Sequence, residues 1–232
     1  VWRVKENVGL DRAEEAPLPL DDAGVPAPSV LVLDDPALGF RDDESLWPTT
    51  IRERNPDAVD WLVMKMAEPV AEGALWERVQ EDFADRTVIV TTITDLRRQA
   101  VTISEGISWE RTAQDLYWEL TNNPAVSALA TCAHTVVSLG PAGALLLSWG
   151  GHDAAGTPTW DCQFVFDPNV VEGEWQGRHP GGVIGYTTCL TAALVAELVH
   201  DEPDMLAGAV AGVSAQRQLH RIGYGEQASD GQ

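Results

Sequence analysis

The apolar positions of this chain fall into short unbroken runs, separated by stretches in which they recur every three or four residues. VLVL at 30–33 closes on Asp34 and Asp35, and comparable runs return in DWLVMKMAEP at 60–69, TVIVTTITDL at 87–96 and HTVVSLGPAGALLL at 134–147. An apolar run of this length bounded by polar residues is the pattern of a strand buried on both faces, as in a parallel sheet. Between the runs the period lengthens. In ALWERVQEDFA at 74–84, Leu75, Val79 and Phe83 share one helical face; in SWERTAQDLYWEL at 108–120, Trp109, Ala113, Leu116 and Leu120 do the same. Ser108, ahead of Glu110 and Arg111, suits a helix start. Strands alternating with helices predict an α/β fold, a mostly parallel sheet with helices on both faces. Two further helices are expected near 185–199 and 204–219.

One connection differs. VVSLGPAGALLLS at 136–148 reads as strand, tight turn and strand, with Pro141 and Gly143 supplying the turn dihedrals. The expected arrangement is therefore specific. Segments near 30–34, 61–66, 87–92 and 134–138 should be neighbouring parallel strands, with 142–147 returning antiparallel.

Length and composition narrow the class. The 232 residues suit one large domain, expected over 30–225. Residues 11–29, rich in Pro and acids, make 1–29 read as an extension or linker, and 226–232 as a disordered tail. With 36 Asp and Glu against 15 Lys and Arg, the formal charge is −21. Such a surface repels phosphate backbones and anionic lipid, which argues against nucleic-acid or membrane partners. The acidity itself reads as solubility in a salty cytoplasm. No apolar run reaches membrane length and VWRVKENVGLDRAEE lacks a secretory pattern, so a cytoplasmic location is expected. Cys132, Cys162 and Cys189 are odd in number and widely spaced, which supports neither a disulfide framework nor a zinc site. The five histidines lack ligand spacing, and no metal site is expected. His134, opening a strand, reads as a satisfied polar residue. P-loop, GxSxG and HExxH patterns are missing, as is a GxGxxG after a strand.

The chemistry concentrates at strand ends and one helix start. GGVIGYTTCLTAALVAEL at 181–198 runs from glycines and hydroxyls into an apolar helix. Free N–H groups and the helix dipole at such a start favour an anion. Gly181, Gly182 and Gly185 permit close approach, Thr187 and Thr188 add hydroxyls, and Arg178 and His179 lie just upstream. The competing reading is structural: Gly185 permits close helix–sheet packing and the threonines cap the helix. In DDPALGFRDDESLWP at 34–48, Asp34 and Asp35 stand where α/β sheets bind ligands, and suit a metal or a hydroxylated ligand. The alternative is a solvated acidic loop with an Asp capping the next turn. Lys65 suits either a phosphate contact or snorkelling at a strand end. Asp95, Arg97, Arg98, Glu105, Trp109, Glu110 and Arg111 are candidates for a polar network at one end of the sheet.

Ser138-Leu139-Gly140-Pro141-Ala142-Gly143, followed downstream by Gly185-Tyr186-Thr187-Thr188 opening a helix, resembles the ribokinase-like (PfkB-type) carbohydrate kinases. The closing segments ALVAELVH and AGAVAGVSAQRQL resemble that family's final helices. The resemblance spans roughly residues 30–225 and implies a three-layer α/β/α sandwich. It also implies nucleotide or phosphate binding by Gly140, Gly143, Gly182, Gly185, Tyr186, Thr187 and Thr188, with ATP or ADP and Mg as cofactors. The implied partner is a nucleotide or sugar phosphate, and a homodimer or further domains outside this chain are compatible with it. Two elements depart from the family. Thr188 stands where the family's general base is an Asp, and no acid lies between Glu174 and Glu197. The family's Asn-x-x-Glu element is not evident, and TTITDLRRQ occupies the comparable strand end. The expectation is a ligand-binding domain with weak or no phosphotransfer. The alternative is an active kinase whose base comes from elsewhere, Asp34, Asp35 and Asp167 being the candidates.

Overall fold

A computed structural model describes residues 30–34, 41–104, 108–140, 143–166, 186–200 and 206–209. In it the four apolar runs are parallel strands. β1 (Val30–Asp34), β2 (Trp61–Lys65), β3 (Thr87–Thr92) and β4 (His134–Ser138) lie side by side in chain order. β5 (Gly143–His152) then returns antiparallel to β4, and β6 (Pro158–Phe166) runs antiparallel to β5. The neighbours and the antiparallel return are those the apolar runs predicted. β6 was not foreseen, because it has no long apolar run; its Asp161 and Gln163 alternate with Trp160, Cys162 and Phe164.

Chain-order strands have a consequence. Right-handed crossovers that always step in the same direction place every connection on one face of the sheet. That face is covered by the first four helices, α1 (Thr49–Arg52), α2 (Ala74–Asp82), α3 (Ile93–Arg97) and α4 (Trp109–Asn122). Their Ile51, Leu75, Val79, Leu96, Leu116 and Leu120 bury against Leu33, Met64, Ile89, Val137 and Leu145. The opposite face carries Val63, Val88, Val90 and Val136. Leu190, Leu194 and Leu198 of α5 (Tyr186–Val199) cover it, with Leu206 and Ala209 of the helical stretch 206–209. Strand alternation is what divides the two sets: Val63 faces α5, and Met64 faces the crossovers.

Local chemistry sets where elements begin and end. Ser108 caps α4, its Oγ accepting from the Arg111 N–H at 3.3 Å, as the sequence suggested. Leu75, Val79 and Phe83 are buried together, as are Leu116 and Leu120; the Trp109 side chain lies outside the described residues. The apolar run at 87–96 does not continue as a strand past Thr92. Thr92 Oγ1 accepts from the Asp95 N–H at 3.0 Å and turns the chain into α3. From α2, in the second crossover, Arg78 Nη1 donates to the carbonyls of Ile51 and Arg52 in the first, at 3.0 Å each, with its guanidinium 5.7 Å from the Trp47 ring. It thereby satisfies carbonyls that a short helix leaves open. Among the described residues no helix is long and apolar enough to cross a membrane.

Leu194 is fully buried between α5 and the sheet. Leu194→Ala should therefore lower unfolding free energy by about 2–5 kcal/mol, the range for a leucine cavity. Urea denaturation measures it; a loss below about 1 kcal/mol would show that α5 is not packed as described.

Candidate functional site at the carboxyl edge of the sheet

The four parallel strands end on one edge, and alternation decides which of their last residues share a side. Val32, Val63, Val90 and Val136 belong to the core beneath α5. Two residues further along each strand stand Asp34, Lys65, Thr92 and Ser138, so all four project on the α5 side of the edge. The sheet thus lines up one carboxylate, one ammonium and two hydroxyls.

Asp34 and Lys65 are register partners, and Lys65 Nζ lies 2.8 Å from Asp34 Oδ1. Lys65 is the more covered of the two, its side chain 24% exposed against 48% for Asp34. Thr92 Oγ1 donates to Asp95 Oδ2 at 2.7 Å while capping α3, and Asp95 Oδ1 takes Arg98 Nη1 at 3.2 Å. Ser138 is buried, and its Oγ accepts from the Gly140 N–H at 3.2 Å. The turn that follows is closed by Leu139 N–H donating to the Gly143 carbonyl at 2.8 Å. Gly140 has φ 66° and Gly143 φ 125°, a region that side-chain-bearing residues rarely adopt. The glycines of the LGPAG turn are therefore required by the backbone at the site's rim.

The remaining expected site residues divide. Tyr186 opens α5, with its side chain outside the described residues. Thr187 is half-buried, its carbonyl accepting from Thr191 Oγ1 at 2.8 Å, and Thr188 is exposed. Asp35, Asp167, Arg178, His179, Gly181, Gly182 and Gly185 lie outside the described residues. The acidic segment after β1 plays a structural part where it is described. Asp43 caps a short turn by accepting from the Ser45 N–H at 3.0 Å, and Arg41 donates to the Val70 carbonyl at 3.4 Å. Asp34 is engaged by Lys65, and no group of three metal-binding side chains occurs among the described residues. Of the candidate network at 95–111, Asp95 and Arg111 serve separate local jobs, while Glu105 and the Trp109 side chain lie outside the described residues. Asp95 anchors the start of α3, whereas Arg111 pairs with Asp115 at 2.9 Å within α4. Hydrogen bonds from Ser104 hold the Asp115 carboxyl below the usual range, with Arg111 adding to them. His134 sits at the opposite edge, its Nδ1 2.9 Å from Ser148 Oγ and its ring 5.7 Å from Trp61.

Thr92 is the site residue that reading the sequence missed. Its signal was present as Thr92-x-x-Asp95, a helix-start pattern set directly after an apolar run.

No protein-family model, curated protein or solved structure matches this chain. Its class is accordingly that of its architecture: an α/β protein with a six-stranded, mostly parallel sheet and helices. Chemically, the edge carries a Lys65–Asp34 pair and a glycine turn at the surface, with the Thr92 hydroxyl tied to Asp95 and Ser138 buried beneath Gly140.

All three cysteines are free. Burial pushes the Cys132 thiol up to about 12 from an ordinary 9.0, although Gln80 Nε2 lies 3.2 Å from its Sγ. The folded state favours the protonated thiol, so this contribution to stability is complete below pH 9.0 and declines as pH rises towards about 12. With Cys162 and Cys189 exposed, a disulfide titrant at pH 8 should count two thiols in the native chain and three in urea. Rapid reaction of all three without denaturant would contradict the burial of Cys132.

Proposed function

We propose that this chain is a divergent ribokinase-like (PfkB-type) domain, a three-layer α/β/α sandwich acting in the cytoplasm. It binds a nucleotide or a phosphorylated small molecule and has little or no phosphotransferase activity. One observation carries the reading: the antiparallel return of β5 on β4 through the glycine-dependent turn at Gly140 and Gly143, on the edge lined by Lys65, Thr92 and Ser138. A strand end and a glycine turn of this kind let backbone amides approach phosphate oxygens, and the Lys65 ammonium adds charge. The glycine-rich approach to α5, 181–185, completes the proposed phosphate cradle with Thr187 and Thr188. ATP or ADP with Mg is the proposed cofactor. The acidic surface fits a small-molecule ligand better than a nucleic acid.

Ligand binding is tested by thermal unfolding against ATP, ADP, GTP and sugar phosphates, with and without Mg. A ligand that binds only the folded chain adds about 2.7 kcal/mol at a hundred times its Kd. At least one of these ligands should raise the melting temperature, and Gly185→Val should abolish the rise while the unliganded melt is unchanged. No response to any of them, or a response untouched by Gly185→Val, refutes the proposed cradle.

Catalysis is tested separately. With Thr188 at the base position, turnover of ATP with common sugars should not exceed the enzyme-free background. Loss of a general base costs on the order of 10²–10⁴-fold. Thr188→Asp should restore measurable turnover with a hydroxylated acceptor. The second reading, an active kinase with another base, draws on the position of Asp34 at the edge on the α5 side. It would be favoured by robust wild-type turnover that persists in Thr188→Ala and falls in Asp34→Asn.

A further inference from the structure

Three arginines of this chain are fixed by the main chain. Arg41 donates to the Val70 carbonyl, Arg78 to those of Ile51 and Arg52, and Arg86 to that of Pro56. A carbonyl in a turn cannot leave its cation unless the turn itself unfolds. Lys65 is held differently. Its Nζ lies 2.8 Å from a side-chain carboxylate, Asp34 Oδ1, on the neighbouring strand. Asp34 is the last residue of β1 and is exposed. Its carboxylate can swing away by a change of side-chain rotamer, with the backbone of β1 left in place. The contact between them is therefore exchangeable.

The fold makes that exchange an electrostatic competition. Asp34 and Lys65 are register partners, and each stands two residues past a core valine, so both side chains leave the sheet on the α5 side. An anion that reaches the Lys65 ammonium there shares its nitrogen with Asp34. Two charge-assisted contacts on one nitrogen bring the two anionic oxygens to within about 4–6 Å of each other. Like charges at that range repel even in water, and the formal charge of −21 on the whole chain adds to the repulsion. An exposed ion pair is weak in itself, so Asp34 does not close the edge. It opposes whatever anion would replace it.

We propose, resting on the reading of this edge as a phosphate site, that Asp34 is a built-in competitor for Lys65. It occupies the ammonium in the unliganded chain and weakens the phosphoryl group that takes its place. Affinity at the edge is then set by the pair, and neutralising Asp34 raises it.

Lys65 can be followed by itself, because the chain has two lysines and the other is Lys5. Trace acetylation read by peptide mass spectrometry should show ATP, in metal-free buffer at constant ionic strength, protecting Lys65 relative to Lys5. In Asp34→Asn the ATP concentration that gives half-protection should fall roughly 3- to 30-fold. Asp34→Ser should act in the same direction. Asp85→Asn removes an equal charge, also from beside a cation, in the turn before β3 at the opposite edge, and should leave the half-protection concentration unchanged. Equal half-protection in the wild type and both Asp34 variants, or an equal fall in Asp85→Asn, overturns the proposal while leaving phosphate binding in place. Lys65 unprotected in every one of these chains overturns it as well. In that case a melting rise with ATP that Gly185→Val abolishes still upholds the phosphate site, whereas the lack of any rise removes both.

Discussion

A parallel sheet has two apolar faces, and both must be covered before its strands are worth forming. Here the strands advance in chain order, so the right-handed rule sends every crossover helix to the same side. The side that remains carries Val63, Val88, Val90 and Val136, which no crossover can reach. α5 resolves this by bringing Leu190, Leu194 and Leu198 across from much later in the chain. The sheet therefore depends on a non-local contact between β1–β4 and a helix that follows the whole β5–β6 hairpin. α5 makes that contact through Leu190, Leu194 and Leu198, one residue per turn, while Thr188, Cys189, Ala192, Ala196 and Val199 on its other side are exposed.

The same alternation that sorts the core sorts the edge. On the α5 side each strand carries valine in its middle, with Trp61 and His134 at the starts of β2 and β4; the next residue on that side, one step past the core, is polar in all four strands. Asp34 and Lys65 neutralise each other where the sheet emerges, and Thr92 and Ser138 are tied to the helix start and the turn that follow them. An anion arriving there meets Lys65 already held in place by its neighbour on β1. Removing Asp34 from that pair is electrostatically cheap on an exposed edge, where such pairs contribute about 0–1 kcal/mol.

The opposite edge is built for closure. Trp149 and Trp160 meet at 5.3 Å across the β5–β6 arm, and Trp160 Nε1 donates to the Ala130 carbonyl at 2.8 Å. His134 is engaged by Ser148, and its ring lies tilted beside Trp61. At this edge His134, Ser148 and the Trp160 indole N–H are engaged within the fold, whereas the carboxyl edge keeps a charged pair at the surface. The two ends of one sheet thus carry different chemistry, although their strands read alike from end to end.

By itself the sequence determined the parallel strands, their neighbours, the hairpin return at LGPAG and the buried faces of α2 and α4. Each of these is local: an unbroken apolar run, a helical period, or a turn whose glycines need positive φ. Tertiary structure alone decided the rest. No pattern in Asp34 or Lys65 reveals that they are register partners, because register is set by how two distant strands align. Thr92 is the local exception: its Thr-x-x-Asp helix-start pattern stood in the sequence, hidden at the end of an apolar run. β6 escaped notice because a strand half open to solvent has no continuous apolar run to mark it. The lesson lies in the physics of burial: periodicity records which side of an element is covered, but not which distant element covers it, nor which polar residues then meet where the cover ends.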